Sequence, residues 1–273
     1  MDTPITNYQL PIHESYILTR AHPYICRYKD QTLETEGSYT TMTTETTYNF
    51  GIEDAKPVIL YYFNIAGKAE AIRCALYHAK IPFTDVRLTR ESFYAKKSSG
   101  ELPYGQLPAL VVDGTMLAQS SAIMRAVGRM SNSSLYPADV MEAAQIDSIM
   151  DSEKDLFMGI NVSKYSSRFG FSVLDEKPEL RKDVRKILND SIVPRHLQNL
   201  ERTIDLSVGP WLGKRAEPSI ADFIIAPPLK QLMGGSTDGI TKEVFNSTPK
   251  LVSMVDAFYA LPSVTEFLDK SSS

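Results

Sequence analysis

The chain has 273 residues, 43% hydrophobic and 23% charged, enough apolar material for one large or two ordinary domains with real cores. A formal charge of −4 and a pI near 5.7, with lysines and arginines scattered singly or in pairs, exclude the basic stripe that a nucleic-acid partner would need. Two cysteines without CxxC spacing, Cys26 and Cys74, support neither a disulfide framework nor a zinc site, and no apolar run approaches the ~18 residues that span a bilayer, so a reducing, cytoplasmic setting without membrane contact is expected.

Residues 1–56 show no sustained period, and Ser38 to Thr47 is almost entirely Thr, Ser, Tyr and Glu, so this extension is expected to be mostly disordered. Order is expected from Pro57. Val58 to Phe63 is a β-branched and aromatic run of the kind buried inside a sheet. A helix follows, with Ala69, Ile72, Leu76 and Ala79 at helical spacing and Pro82 preventing continuation. Residues 83 to 88 alternate as a second strand, parallel to the first through a right-handed crossover. Ala109 to Val112, Asp113-Gly114 and Thr115 to Leu117 read as a hairpin, because Asp-Gly supplies the positive φ of a two-residue turn. Another helix starts at Ser120, with Ile123, Val127 and Met130 on one face. The order βαβ-ββα predicts a domain over 57–131 with one mixed four-stranded sheet.

A polar, turn-rich linker is expected over 132–140 and an all-helical domain over 141–270. Apolar faces run through Ile146, Ile149, Met150 and Phe157, then Leu180, Val184, Ile187 and Leu188, then Leu197, Leu200 and Ile204. Pro194 should kink or divide the last long segment, and Gly209-Pro210 should end it. Ser219-Ile220-Ala221-Asp222 reads as a capping box opening the next helix. That box belongs to folding. His13, His22, His78 and His196 have no metal-ligand spacing, His78 is placed on a helix face, and Cys74 reads as packing.

Pro108 just ahead of the hairpin suggests a thioredoxin-like sheet, in which a cis proline exposes the backbone of the preceding residue, here Leu107, to pair with an extended peptide. Spacing alone leaves an ordinary trans proline as the commoner case. Gln119-Ser120 opens a helix, where unpaired N–H groups and the dipole favour a carboxylate; Ser120 could cap the helix, bond an anion, or both. The two dipeptides bracket one hairpin and should emerge at one sheet edge, able to hold the two ends of a small peptide.

The chain from Pro57 to about Lys270 resembles the glutathione transferases, particularly the sigma class and its tyrosine-using relatives. The resemblance runs through Tyr62-Phe63-Asn64, Gly67-Lys68-Ala69-Glu70-Ala71-Ile72-Arg73, Gly105-Gln106-Leu107-Pro108-Ala109-Leu110, Asp113-Gly114, Gln119-Ser120-Ser121-Ala122-Ile123 and Ser219-Ile220-Ala221-Asp222-Phe223. It implies a thioredoxin-like N-terminal domain, an all-helical C-terminal domain, usually a homodimer, and glutathione as co-substrate with no metal. Tyr62 falls at the family's catalytic tyrosine, with Tyr61 a rival that strand alternation sends to the other face. Gln106, the Leu107 backbone and Pro108 match the glutathione-binding loop, Gln119 and Ser120 the γ-glutamyl contacts, and Phe93 and Lys97 fall near the family's Trp and Lys.

Asp155 matches an acid that reaches the partner's glutathione across the dimer; a solvated helix acid is the alternative. Ala66 stands where these classes often carry an arginine supporting the thiolate, and Lys68 is a partial substitute or simply exposed. The second substrate implied is a small, apolar electrophile, with Phe157, Tyr165 and Phe169 either lining its pocket or belonging to the core. The alternatives within the resemblance are a non-catalytic glutathione-binding or structural relative, comparable to the lens crystallins, and a glutathione-dependent isomerase acting on a lipid peroxide.

Overall fold

The computed structural model describes residues 45–50, 58–131 and 135–272. A mixed five-stranded sheet is built from β1 (Thr46–Phe50), β2 (Val58–Phe63), β3 (Phe83–Leu88), β4 (Ala109–Val112) and β5 (Thr115–Ala118), in the order β1-β3-β2-β4-β5. Strand β3 runs parallel to β2, and the other pairs are antiparallel. Helix α1 (Ala69–His78) makes the β2-to-β3 crossover, α2 (Arg90–Ser98) follows β3, and α3 (Ser120–Met130) follows the hairpin. Asp113 and Gly114 both have positive φ, 48° and 79°, as a primed two-residue turn requires.

Two elements differ from the sequence-based expectation. Order does not begin at Pro57, and the sheet has five strands instead of four, because Thr46–Phe50 adds to the β3 edge. The cause is alternation: Thr46, Tyr48 and Phe50 turn inward while Thr47 and Asn49 face out, and Phe50 stacks on Phe83 at 4.9 Å. Residues 1–44 and 51–57, to which the rest of the expected disordered extension and Cys26 belong, lie outside the described residues. The second difference is α2, started by Thr89, whose side chain accepts from the Ser92 N–H, and none of whose residues is fully buried.

Among the described residues the remainder is helical: α4 (Val140–Lys164), α5 (Val173–Glu176), α6 (Pro178–Ile187), α7 (Val193–Glu201), α8 (Ile220–Met233), α9 (Pro249–Tyr259) and α10 (Pro262–Ser272). Pro194 does divide the long segment. A π-helical turn at Leu188–Ile192 separates α6 from α7, and the proline sits in the first turn of α7. That helix ends at Glu201, ahead of Gly209-Pro210. Helix α8 opens on the expected capping box. The Asp222 carboxylate, wholly buried, accepts from the Ser219 N–H at 2.8 Å and the Leu212 N–H at 2.9 Å.

One core joins the sheet to the helices. Helix α1 packs against α8, where the His78 ring meets Phe223 at 5.1 Å and its Nδ1 pairs with Ser263 Oγ at 2.7 Å. Cys74 is fully buried, and that burial holds its thiol well above the ordinary range. No single described helix is long and apolar enough to cross a membrane. The bent pair α9 and α10 passes that test together, but Leu251, Met254, Val255, Phe258, Val264 and Phe267 belong to the core.

Candidate functional site

The strand register sets three segments side by side. Tyr61 of β2 pairs with Ala109 of β4, and Ala109 with Ala118 of β5. One residue beyond this row, at one end of the sheet, lie Tyr62, Pro108 and Gln119. Inward positions on β2 are Val58, Leu60 and Tyr62, so Tyr62 faces the core side while Tyr61 turns away and lies under the Lys96 ammonium at 5.2 Å.

The Tyr62 hydroxyl oxygen accepts the backbone N–H of Lys68 at 3.1 Å. Lys68 is the N-cap of α1, and no side chain caps that end, so the positive pole of the helix points at the phenol. A hydroxyl has one proton and two lone pairs, so accepting from Lys68 leaves the O–H to be donated. Burial pushes the Tyr62 pKa up, the Lys68 N–H and the Arg73 and Arg168 charges pull it down, and Tyr165 pushes it up. The phenol is therefore protonated at neutral pH. Gly67 is required beside it: its φ is +43°, and a Cβ there would lie 2.6 Å from the Tyr62 oxygen.

The loop between Tyr62 and α1 is held by charges that sequence reasoning missed. Arg73, 1% exposed, donates from Nε to Asp85 Oδ2 at 3.0 Å, from one terminal nitrogen to the Ile65 carbonyl at 2.9 Å, and from the other to the Phe63 carbonyl at 3.3 Å. Arg87 donates to the same Asp85 oxygen at 2.9 Å and to Asn64 Oδ1 at 2.8 Å. Asp85 is wholly buried, and its Oδ1 has no hydrogen-bond partner among the described residues. A signal existed: an acid at an inward position of β3, next to Phe83, needs a buried cation. Arg73 adjoins the apolar stripe of α1 that could supply it.

The Leu107-Pro108 bond is cis; Leu107 is half-buried, Gln106 exposed and Pro108 buried. Gln119, exposed, has φ +73° and ψ 113°, a conformation L-residues rarely hold. It is the N-cap of α3, and its side chain caps nothing, so Ser120 is the first helical residue and not the cap. Helix α2 brings two more expected residues into reach. Phe93 meets Phe63 edge-on at 5.2 Å, and the Lys97 stem lies against Gly105, where a Cβ would come within 3.2 Å of Cε.

Asp155 is exposed on α4 and does not join this group. Two residues earlier, Glu153 does: its carboxylate, 3% exposed, receives the Lys68 ammonium at 2.6 Å. Lys68 is thus committed to an ion pair, and Ala66 is exposed. Phe157 is buried, whereas Tyr165 and Phe169, after the end of α4, are 43% and 46% exposed.

A cavity of about 510 Å³ lined by Tyr48, Asn49, Phe50, Tyr77 and Lys270 takes in none of these residues. The site residues instead lie across one end of the sheet, at the ends of the neighbouring strands β2, β4 and β5. Among the described residues no group of three His, Cys, Asp or Glu is placed to hold a metal ion.

Comparison with known proteins follows the same outline. The family described as glutathione S-transferase, N-terminal domain, matches residues 58–129, and glutathione S-transferase, C-terminal domain, matches residues 166–271. Glutathione S-transferase 1 of Ascaris suum is 33% identical over 213 residues, 77% of this chain and 94% of that one. Among solved structures, the glutathione S-transferase from Ascaris lumbricoides is 30% identical with a TM-score of 0.59, covering 79% of this chain and 97% of that one. Prostaglandin synthase D of Nilaparvata lugens is 26% identical with a TM-score of 0.64, covering 78% and 98%.

Proposed function

The chain belongs to the glutathione S-transferase family and is a glutathione transferase, and from that premise we propose that Tyr62 activates the glutathione thiol for attack on small, apolar electrophiles. The observation that carries this reading is the Tyr62 hydroxyl, which accepts the Lys68 N–H at the head of α1 and keeps its own proton for a sulfur. Glutathione lies along the sheet end, its cysteinyl part paired with the Leu107 backbone beside Pro108. Its γ-glutamyl carboxylate is taken by the head of α3 at Gln119 and Ser120, and its glycyl end by Gln106, Phe93 and Lys97.

A free thiol has a pKa of about 8.5, and lowering it by ~2 units takes ~2.7 kcal/mol of preferential stabilisation of the thiolate. One neutral hydrogen bond contributes about 0.5–1.5 kcal/mol net. The remainder comes from the head of α1, with the Arg73 guanidinium, 5.8 Å from the Tyr62 ring, adding only what its pairing with Asp85 leaves. Lys68 contributes its backbone N–H, because Glu153 holds its ammonium. The thiol proton leaves to solvent, the thiolate forms the new S–C bond, and the electrophile releases a leaving group or takes up a proton. Tyr165 and Phe169, exposed after the end of α4, bound the second substrate in this reading.

The working form is a homodimer, with Asp155, exposed on α4, reaching the partner's glutathione, and the functional halves are residues 57–131 and 141–270. A second reading, isomerisation of a lipid peroxide by the same thiolate, has the likeness to a prostaglandin synthase D in its favour.

Turnover of a chlorodinitrobenzene with glutathione tests the first reading. Tyr62→Phe should lower kcat about 100-fold. Turnover within threefold of wild type would remove Tyr62 from the chemistry.

A further inference from the structure

Strand β1 lies ahead of the family match, which begins at residue 58. Its register on β3 sets Tyr48 directly opposite the buried Asp85, and the Tyr48 ring covers the Arg87 guanidinium at 4.2 Å. Arg87 in turn holds Asn64 and shares Asp85 with Arg73, which holds the Phe63 and Ile65 carbonyls. A continuous chain of contacts therefore runs from β1 to the loop that presents Tyr62 and the Lys68 N–H.

We propose that Tyr48 of β1 is a positioning residue for thiol activation, sealing the Arg87-Asp85-Arg73 cluster from water so that it fixes the loop between Tyr62 and α1. The physical basis is the dielectric. Hydrogen bonds and ion pairs hold geometry more firmly in a dry environment, and β3 without β1 would be an edge strand with Asp85 open to solvent along its unpaired side. Phe50 anchors the strand independently, stacked on Phe83 and tilted against Phe267 at 5.4 Å, so Tyr48 can change without release of β1. The glutathione contacts at Leu107, Gln119 and Ser120 lie on the other side of β2 and do not depend on this cluster.

The proposal rests on the reading of Tyr62 as donor to the thiol, and the test separates the two. Tyr48→Ala, Tyr48→Leu, Tyr48→Phe and Tyr62→Phe are compared in the full chain for kcat, for KM of glutathione, and for the pH profile of kcat/KM. Tyr48→Ala should lower kcat about fivefold and move the acid limb of the profile upward, with KM for glutathione within twofold, and Tyr48→Phe, which keeps the ring over Arg87, should behave as wild type. Tyr48→Leu keeps an apolar inward residue on the strand and carries the test if the alanine variant does not fold; it should show the same shift.

A strand that merely closes the sheet edge would lower the melting temperature and leave the profile unmoved. That outcome, in either folded variant, overturns the proposal. If Tyr62→Phe retains full activity, the reading of the site fails first.

Discussion

At the scale of single residues the site is a matter of a few tenths of an ångström. Gly67 shows it: its φ of +43° and the 2.6 Å approach of a Cβ to the Tyr62 oxygen leave no room for any side chain. Gly67→Ala should therefore push the phenol from the Lys68 N–H and lower kcat at least tenfold, a loss of about 1.4 kcal/mol in transition-state stabilisation, with glutathione affinity little changed. Wild-type kcat in that variant would show that the hydrogen bond is idle. Tyr62 was singled out in the sequence by the resemblance, carried by the order and spacing of several motifs, since the run Val58 to Phe63 is apolar throughout and marks neither tyrosine; the alternating burial comes from the structure. Glu153 and the Arg73–Asp85 pair were not. Their roles depend on which turn of α4 and which face of α1 meet the loop, and helical periodicity marks apolar stripes without saying which charged residue beside a stripe is buried.

At the scale of elements, what failed to show in the sequence is what packs on one side only. Helix α2 buries none of its residues fully and has no apolar stripe to announce it, and β1 hides its three inward residues among threonines. The α8 cap was readable because a capping box is a local pattern, and it gives a prediction in stability. Asp222→Ala leaves the Ser219 and Leu212 N–H groups buried without an acceptor and should cost about 2–4 kcal/mol in a denaturant titration. Burial raises the Asp222 pKa from 3.8 to about 6 against the pull of its hydrogen bonds. Between those values the folded state holds a proton that the unfolded state has released. The contribution of this group to stability is therefore full below about pH 4 and is lost as pH rises through about 6. The difference in unfolding free energy between wild type and Asp222→Asn should fall as pH rises from 4 to 7. A difference that stays flat would mean that Asp222 ionises in the folded protein at its ordinary pKa.

At the scale of the molecule, the sheet and the helices share one core, with α1 between them, and the Lys68–Glu153 pair crosses directly from the loop between Tyr62 and α1 to α4. Unfolding should accordingly be a single event. Trp211, the one tryptophan of the chain, is buried, and its fluorescence should change in step with far-ultraviolet circular dichroism in urea. Two separated transitions would show that the halves are stable independently. The fold class was legible because the order of strands and helices, the Asp-Gly turn and the run of apolar helical faces all pointed the same way. The central claim concerns sulfur. An ultraviolet titration of the thiolate of bound glutathione, in wild type and Tyr62→Phe, tests it most directly. The account predicts an apparent pKa at least one unit below the value of about 8.5 for a free thiol in wild type, and a return toward that value in the variant. A thiol that ionises at the same pH in both proteins would contradict it.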